Sequence, residues 1–460
     1  MSNHFSKRLE KSFMIGMDLS IILTGYYLTA WLFQYPIARL EADSSAYLTL
    51  TLIGLLTFYM FDLYGSWNRK SSTNLVCSTF LAMALFTLTS LFIGFLLSWT
   101  TNVHLVLFAS FFQFIFIVTA RLAIWHLARY RHGMKNVLVV SKSNMDGQTI
   151  AEKFHQHHKG WFQVMDVVTT QHRGSIKKYL KQADVVILSS EVERSMQSSV
   201  TNLCIRYRKE VLIVPRMIDF ALKEAEIQQV DDMMVFSIPS NNFNGIHQVV
   251  KRTMDIVISM ILLIVLSPLM MCLYFLIPLT SKGPAFFKQE RVGLNEKPFQ
   301  IVKFRSMVED AEKNTGPVLA LEKDPRITTI GRVLRAIRLD ELPQLLNVLK
   351  GEMSLIGPRP ERSFFVKQFK KEVPDYMKRF DVKPGITGLA QVSANYGTSV
   401  EEKLRYDLMY VRSCSFTLDI KILMQTIRVV LQRDQAKGVM IKPEAERKTN
   451  YRGITIAKHN

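Results

Sequence analysis

Residues 251–282 read KRTMDIVISMILLIVLSPLMMCLYFLIPLTSK, an apolar run with a basic cluster at each end. Its apolar part, from Ile256 to Leu279, has about the length that crosses a bilayer. Pro268 lacks a backbone donor and crowds the preceding turn, so we expect the helix to bend or break at Ser267 and Pro268. A helix that turns there and leaves on the side where it entered keeps both basic flanks on one face of the membrane. On composition alone, an ordinary fifth crossing stays an alternative.

A turn at membrane depth requires polar partners for its backbone. Arg252 and Asp255 lie in the flank that precedes the apolar run, where they are placed to supply such partners. We therefore assign Arg252, Asp255, Ser267 and Pro268 a structural role in a re-entrant helix that covers about residues 251–280.

Four further apolar segments lie in the first 130 residues, at about 13–34, 46–64, 75–99 and 103–125. Each approaches the roughly 20 residues that a crossing helix needs, so together they predict a membrane-embedded bundle. Lys and Arg concentrate before the first segment, between the second and third, and after the fourth. By the positive-inside rule, both ends of this bundle face the cytoplasm. Asp18 lies near the cytoplasmic end of the first segment, which favours a satisfied structural role over a functional one.

The part of the chain after Lys135 is soluble in composition and alternates between two kinds of segment. Three apolar runs predict buried strands, with helix-like stretches between them: 136–140, 184–188 and 211–214, separated by 148–158 and 191–208. This alternation predicts a parallel, doubly wound, Rossmann-like sheet. The first strand is followed by SKSNMDG, which lacks the G-x-G-x-x-G fingerprint. A structural, assembly or regulatory use of this module is therefore favoured over dinucleotide binding.

The bulk composition narrows the class of partner. A chain of 460 residues predicts two or three domains, and its formal net charge of +19 requires an acidic partner. Nucleic acid, anionic lipid and a phosphorylated substrate all qualify, but the apolar runs favour lipid and we expect no nucleic-acid partner. The four cysteines show no CxxC spacing, so neither a disulfide framework nor a zinc site is implied.

The run Leu339-Asp340-Glu341-Leu342-Pro343-Gln344 carries the clearest chemical signal. Two neighbouring carboxylates on a predicted helix diverge by about 100°, so two separate roles fit them better than one shared proton. One carboxylate can attack phosphorus, and the other can bind Mg²⁺. An acidic helix start that only complements the helix dipole is the alternative. The candidate phosphate-binding cations are Lys303, Arg305, Arg335, Arg338 and Arg359.

Seven motifs in order give the region from about 251 to 431 a recognisable pattern. They are Lys251-Arg252-x-x-Asp255, Ser267-Pro268, Gln289-x-Arg291-x-Gly293, Lys303-Phe304-Arg305-Ser306-Met307, Leu339-Asp340-Glu341-Leu342-Pro343-Gln344, Gly357-Pro358-Arg359-Pro360 and Lys383-Pro384-Gly385-Ile386-Thr387-Gly388. This pattern resembles the polyprenyl-phosphate glycosyl-1-phosphate transferases, the bacterial sugar transferase family. The four crossings and the Rossmann-like module resemble the large members of that family.

The resemblance implies a reaction and a role for each matching residue. Asp340 matches a nucleophile that attacks the β-phosphate of a UDP-sugar, expels UMP and holds the phosphosugar until undecaprenyl phosphate accepts it. Glu341 matches a Mg²⁺ ligand, and Arg335 and Arg359 match arginines that contact phosphate or nucleotide. Family frequency makes glucose the first choice of sugar and galactose the second. Such enzymes initiate exopolysaccharide, capsule or O-antigen assembly.

We therefore predict a membrane α-helical bundle with four crossings (1–130), a Rossmann-like α/β module (131–246) and an α-rich α+β catalytic domain with the re-entrant helix (247–460). The expected location is the bacterial inner membrane, with the catalytic domain on the cytoplasmic face. UDP-sugar, undecaprenyl phosphate and membrane lipid are the expected partners, and Mg²⁺ is the expected cofactor. A homodimer stays open. A non-catalytic membrane scaffold or regulator is the alternative, although Asp340, Glu341 and Arg359 have no use in one.

Overall fold

The computed structural model describes residues 2–34, 44–65, 71–96, 103–157, 161–171, 173–222, 225–230, 233–238, 245–309, 311, 324–373, 375–394 and 398–432. The end of the predicted catalytic domain, 433–460, lies outside the described residues. The chain divides into two compact units, Met1–Pro215 and Arg216–Arg447. The division into three domains stays a prediction.

The first unit begins with four apolar helices: α1 (Ser2–Leu32), α2 (Ser44–Met60), α3 (Ser72–Leu96) and α4 (Val103–His132). Parts of α1, α3 and α4 are long and apolar enough to cross a membrane, whereas α2 is shorter. Large apolar side chains such as Phe92 and Phe95 face outward, as they do in helices that are surrounded by lipid. The prediction of an apolar helical bundle in this part of the chain is confirmed.

A buried ion pair joins the first and last helices of the bundle. Arg121 on α4 binds the carboxylate of Asp18 on α1, and both side chains are almost completely buried. The Arg121 Nη1 atom also donates to the carbonyl of Leu63 at 3.1 Å, just beyond α2. Unpaired charges at membrane depth are costly, so this ion pair favours the structural role that the position of Asp18 predicts.

The rest of the first unit is an α/β module with a four-stranded parallel sheet in the order β2-β1-β3-β4. Its elements are β1 (Lys135–Ser141), α5 (Asn144–His157), β2 (Phe162–Thr169), α6 (Arg173–Leu180), β3 (Val185–Leu188), α7 (Arg194–Arg206) and β4 (Glu210–Ile213). Alternate side chains of β1 and β3 enter two separate apolar clusters, one on each face. Burial on both faces explains why these strands are continuous apolar runs. The sequence did not predict β2, whose buried positions are interrupted by polar ones.

The second unit is built around one long helix and several short elements. In chain order they are α8 (Met217–Leu222), β5 (Glu226–Val230), β6 (Met233–Ser237), α9 (Gly245–Thr280), β7 (Phe286–Val292), β8 (Pro298–Phe304), α10 (Thr329–Ala336), α11 (Gln344–Lys350), β9 (Ser354–Ile356), α12 (Ser363–Glu372), β10 (Gly385–Thr387), α13 (Leu389–Ser393), α14 (Val400–Ser413) and α15 (Phe416–Gln432). Strands β5 and β6, and likewise β7 and β8, pair antiparallel, whereas β9 and β10 pair parallel.

Helix α9 continues through the position where a break was predicted. Pro268 cannot donate a hydrogen bond to the carbonyl of Ile264, which lies four residues before it. The hydroxyl of Ser267 donates to that carbonyl instead, at 2.8 Å. The serine therefore satisfies the acceptor that the proline leaves open, and the helix needs no interruption. A bend or re-entrant turn at Ser267 and Pro268 stays a prediction.

The sequence predicted that Arg252 and Asp255 supply polar partners for the backbone at a turn in their own helix. In the structure, the two side chains bind backbone groups of other elements. The guanidinium of Arg252 donates to the carbonyls of Val348 and Leu349, at 2.6 and 2.8 Å. These carbonyls lie in the last turn of α11, where that of Val348 also accepts from the Gly351 N–H at 2.9 Å. The carboxylate of Asp255 accepts from the Leu355 N–H of β9 at 3.0 Å. Through these contacts, both side chains anchor α9 to α11 and β9 of the same unit.

Glycines allow two backbone segments to pack closely against each other at the parallel strands β9 and β10. The Gly357 N–H donates to the carbonyl of Thr387 at 2.9 Å, and the Gly385 N–H donates to the carbonyl of Pro358 at 2.9 Å. A Cβ atom on Gly385 would overlap the backbone of Gly357, and one on Gly388 would do the same. The glycines of the motif 383–388 thus let the backbone approach another backbone segment.

We predict that Gly385→Ala destabilises the protein by about 2 kcal/mol, because the added methyl group overlaps backbone that cannot rotate away. The matched control is Gly245→Ala, where a Cβ atom meets nothing within 4 Å. The measurement is denaturant unfolding of the purified protein in detergent. Equal stability of the two variants would contradict the close packing of these two backbone segments.

Candidate active site

A short 3-10 turn presents the two carboxylates. Arg338 adopts a left-handed conformation, with φ of 56°, and the turn Leu339–Glu341 follows it. Leu339 and Leu342 pack into an apolar cluster around Phe304 and Leu334. Because these two leucines face the core, Asp340 and Glu341 between them face another side. The predicted helix at this position is a 3-10 turn in the structure.

Three cations from different parts of the sequence converge on Glu341. Its Oε1 atom lies 2.8 Å from Nη2 of Arg359 and 3.5 Å from Nζ of Lys303. Its Oε2 atom lies 3.7 Å from Nη1 of Arg338. Burial opposes ionisation of this carboxyl, but the positive charges of Arg359, Lys303 and Arg338 outweigh it and hold the pKa of Glu341 well below its usual range. Glu341 is therefore firmly ionised.

Asp340 is in the opposite situation. Among the described residues, none donates a hydrogen bond to its carboxylate or lies within ion-pair distance of it. Burial and the neighbouring charge of Glu341 raise the pKa of Asp340, against the more distant charges of Lys303, Arg335 and Arg359. A buried carboxylate without a partner is poorly solvated, which makes it a stronger nucleophile than a paired one.

The cations themselves are differently exposed. The side chain of Lys303 is 17% exposed, whereas that of Arg359 is 41% exposed. Burial lowers the pKa of Lys303, despite the nearby Glu341. Glu341 raises the pKa of Arg359 above its usual range. The arrangement thus places a less exposed positive charge and a more accessible one at the same oxygen of Glu341.

The structure brings together most of the residues that the sequence singled out. Lys303, Arg338 and Arg359 contact Glu341, and Arg335 acts on Asp340 only through its charge. Arg305 is not among these contacts. Its guanidinium donates to the Ser281 carbonyl at 2.7 Å and to the Lys282 carbonyl, where it closes the end of α9. A role of Arg305 in substrate binding stays a prediction without a contact to the carboxylates.

Two residues that support the site were not predicted. Arg379 and Asp407 form a buried ion pair at 2.8 Å, and Arg379 donates to the backbone carbonyl of Arg359. In sequence, each is a single charged residue in a polar stretch, which is typical of a solvated surface. Only their non-local pairing reveals the role, so no signal in the sequence identifies them.

The donor set fits a metal ion that takes part of its ligands from a substrate. Among the residues that the structure describes, no group of three or more His, Cys, Asp or Glu side chains gathers in one place. A protein-only cage is therefore absent from this part of the chain. Mg²⁺, however, needs only one or two carboxylates when substrate phosphates and water complete its shell. The Oε2 atom of Glu341 has only the 3.7 Å contact with Arg338, so its lone pairs fit such an ion.

Comparisons with known proteins agree on one family. A family model described as bacterial sugar transferase matches residues 246–433. The chain is 30% identical over 316 residues to a UDP-glucose:undecaprenyl-phosphate glucose-1-phosphate transferase of Escherichia coli (strain K12), a match that covers 64% of this chain and 68% of the relative.

Two further relatives carry other sugars in their names. A UDP-N-acetylgalactosamine-undecaprenyl-phosphate N-acetylgalactosaminephosphotransferase of Aeromonas hydrophila is 46% identical over 189 residues, which cover 40% of this chain and 44% of the relative. An undecaprenyl-phosphate galactose phosphotransferase of Salmonella typhimurium is 37% identical over 244 residues, which cover 50% of each chain. The chain spans about half the length of such relatives. On the match to the family model and the long match to the Escherichia coli relative, this chain belongs to the bacterial sugar transferase family.

Proposed function

We propose that this protein transfers hexose-1-phosphate from a UDP-sugar to undecaprenyl phosphate and releases UMP. The observation that carries the proposal is the unequal state of two adjacent carboxylates. Glu341 is held by three cations, whereas Asp340 is buried beside the same positive charge and has no direct partner among the described residues. An anionic diphosphate is attracted to such a site, and a carboxylate nucleophile is ready beside it. The names of the relatives support both substrates.

In the proposed first step, an oxygen of Asp340 attacks the β-phosphorus of the UDP-sugar. The bond between the β-phosphorus and the bridging oxygen breaks, and UMP leaves with that electron pair. The product is an acyl phosphate that joins Asp340 to the sugar phosphate. In the second step, an oxygen of undecaprenyl phosphate attacks the same phosphorus, which frees the Asp340 carboxylate and forms the lipid-linked diphosphate sugar.

The cations have separate tasks in this proposal. Arg359 is the most exposed of those on Glu341, so it is accessible to the phosphates of the donor. Lys303 is less exposed, and its charge keeps the pair of carboxylates from repelling the substrate. Arg335 and Arg338 precede the turn and extend the positive surface. Because Lys303, Arg338 and Arg359 are held against Glu341, the diphosphate meets charge that is already oriented.

Magnesium belongs to the same proposal, with Glu341 as its protein ligand. A bound Mg²⁺ neutralises charge on the transferring phosphoryl group. Glu341 is suited to this task because its low pKa keeps it ionised. Its contact with Arg359 also ties the ligand to a residue that we propose for the phosphates.

Helix α9 supports a location at the membrane. Large apolar side chains such as Ile264, Val265 and Phe275 are more than half exposed. Both ends are tied to the soluble part of the same unit, through Arg252 at the start and through Arg305 at the end. We propose that the helix enters and leaves on the cytoplasmic face of the bacterial inner membrane. There the active site meets both a soluble UDP-sugar and a lipid phosphate.

The reaction starts a lipid-linked saccharide, so we propose the first step of exopolysaccharide, capsule or O-antigen synthesis as its place. Glucose is our first choice of sugar and galactose the second. The relative named for N-acetylgalactosamine adds a third candidate. A non-catalytic scaffold is the alternative from another class, and a homodimer remains a prediction.

The first test is a panel of UDP-sugars with undecaprenyl phosphate and Mg²⁺, in which UMP release is measured. We expect release with UDP-glucose, UDP-galactose or UDP-N-acetylgalactosamine. Asp340→Asn should lower the rate on the order of a thousandfold or more while the protein stays membrane-inserted, because an amide cannot form the acyl phosphate. Full activity of that variant would exclude the covalent mechanism. No UMP release with any sugar would favour the scaffold.

The second test concerns magnesium. Glu341→Ala should sharply weaken the dependence of UMP release on Mg²⁺ concentration, because the variant lacks the proposed ligand. Glu361→Gln is the matched control, since Glu361 is a neighbouring carboxylate that faces Arg291 at 3.8 Å. The control should keep the normal Mg²⁺ titration. An unchanged titration in Glu341→Ala would exclude the ligand role.

The third test concerns topology. Gln248→Cys and Pro284→Cys place single thiols at exposed positions just before and just after the apolar part of α9. The background carries Cys272→Ser, because Cys272 is exposed. Both thiols should react with an impermeant maleimide only after the cytoplasmic face is opened. Labelling of the two sites from opposite faces would show an ordinary crossing.

A further inference from the structure

The segment that carries Arg359 is held in place by donors from outside it. Two of its residues are prolines, which have no N–H, and four consecutive carbonyls need partners. Each carbonyl finds a donor outside the segment, and two of the four donors lie on β7. Pro358 accepts from the Gly385 N–H at 2.9 Å, Arg359 from Arg379 at 2.8 Å, Pro360 from Arg291 at 3.1 Å and Glu361 from the Val292 N–H at 3.0 Å. The backbone on both sides of the Arg359 side chain is therefore fixed.

Arg379 has the most elaborate surroundings of these donors. Its side chain is 5% exposed and pairs with the carboxylate of Asp407 on α14 at 2.8 Å. It donates to the hydroxyl of Tyr376 at 2.6 Å and lies over the rings of Tyr376 and Phe380. Burial raises the pKa of Asp407 to about 6, even beside Arg379. Desolvating two charges is expensive, so a pair of this kind needs a reason beyond stability.

The position of the Arg359 side chain depends mainly on the position of its own backbone. The side chain is 41% exposed, so few packing contacts hold it, yet its Nη2 atom lies 2.8 Å from Oε1 of Glu341. A hydrogen bond of this length is lost when the root of the side chain moves by about 1 Å. The donor that holds the carbonyl of Arg359 is Arg379.

We propose that Arg379 and Asp407 are positioning residues that aim Arg359 at Glu341 and at the phosphates of the donor substrate. Asp407 orients the guanidinium of Arg379, and Arg379 fixes the backbone of Arg359. Neither residue touches the carboxylates in this scheme. The proposal rests on the proposed function for its kinetic test, and it has a second test that does not need activity.

If the ion pair only stabilises the fold, its removal should affect stability alone. If it positions Arg359, its removal should also affect catalysis. Asp407→Asn alone leaves the buried charge of Arg379 without a counterion, so it should lower stability under either account. The double variant Arg379→Met/Asp407→Leu removes both charges and is expected to keep the melting temperature near that of the wild type. It nevertheless lacks the donor to the carbonyl of Arg359. The double variant therefore separates stability from position.

In the kinetic test, UMP release is measured per folded molecule. Both Asp407→Asn and the double variant should lower kcat/KM for the UDP-sugar by about 10- to 100-fold, the range that misplacement of a catalytic group produces. The KM for undecaprenyl phosphate should not change. In an Arg359→Ala background, the double substitution should add less than about a twofold effect, because it acts through Arg359.

Asp419→Asn is the matched control. Asp419 is a buried carboxylate on α15 that pairs with Lys251 at 2.9 Å, and Lys251 does not donate to the segment 357–361. This variant should lower the melting temperature but keep kcat/KM for the UDP-sugar within about twofold of the wild type.

The second test follows Arg359 directly. Phenylglyoxal modifies arginine, and peptide mass spectrometry gives the rate at Arg359 in the full-length protein. This rate should rise in Asp407→Asn and in the double variant, but not in Asp419→Asn. Wild-type kcat/KM in the stable double variant, or an unchanged modification rate at Arg359, would overturn the positioning role. If the wild type releases no UMP, the proposed function fails, while the modification rates still decide the positioning role.

Discussion

The 2.8 Å contact between Arg359 and Glu341 joins segments that are far apart in the sequence. Glu341 belongs to the 3-10 turn after α10, Arg359 follows β9, and Lys303 approaches the same carboxylate from β8. The cations bind Glu341, whereas Asp340 has no direct partner in the part of the chain that the structure describes. This division of charge makes Asp340 and Glu341 chemically different, although they are neighbours in the chain. The remaining features of the active site act by keeping these segments together.

Several arginines of the second unit donate hydrogen bonds to backbone carbonyls. Arg252 binds the end of α11, Arg305 binds the end of α9, and Arg379 binds the carbonyl of Arg359. A guanidinium has five N–H donors, so one side chain can close a helix end and still bind an anion. Through these contacts α9, α11 and the segment that carries Arg359 are each tied to other parts of the second unit.

The sequence predicted those parts that depend on composition and periodicity. The apolar helices, the parallel arrangement of β1, β3 and β4, and the proximity of Lys303, Arg338 and Arg359 to Glu341 follow from local patterns and from the need of buried charges for partners. The sequence failed where partners are non-local. Arg305 lies next to Lys303 in the motif but binds the end of α9, and the Arg379–Asp407 pair has no local signal. At Pro268 the helix continues, because the neighbouring hydroxyl of Ser267 replaces the missing donor.

The central claim, that Asp340 becomes covalently linked to the phosphosugar, is tested most directly by trapping. The protein is incubated with a UDP-sugar that it uses and Mg²⁺, but without undecaprenyl phosphate, and is then quenched and digested. The account predicts one equivalent of UMP and a hexose phosphate mass on the peptide that contains Asp340, both of which disappear in Asp340→Asn. Transfer to added lipid phosphate without a modified peptide, or modification at another residue, would contradict it.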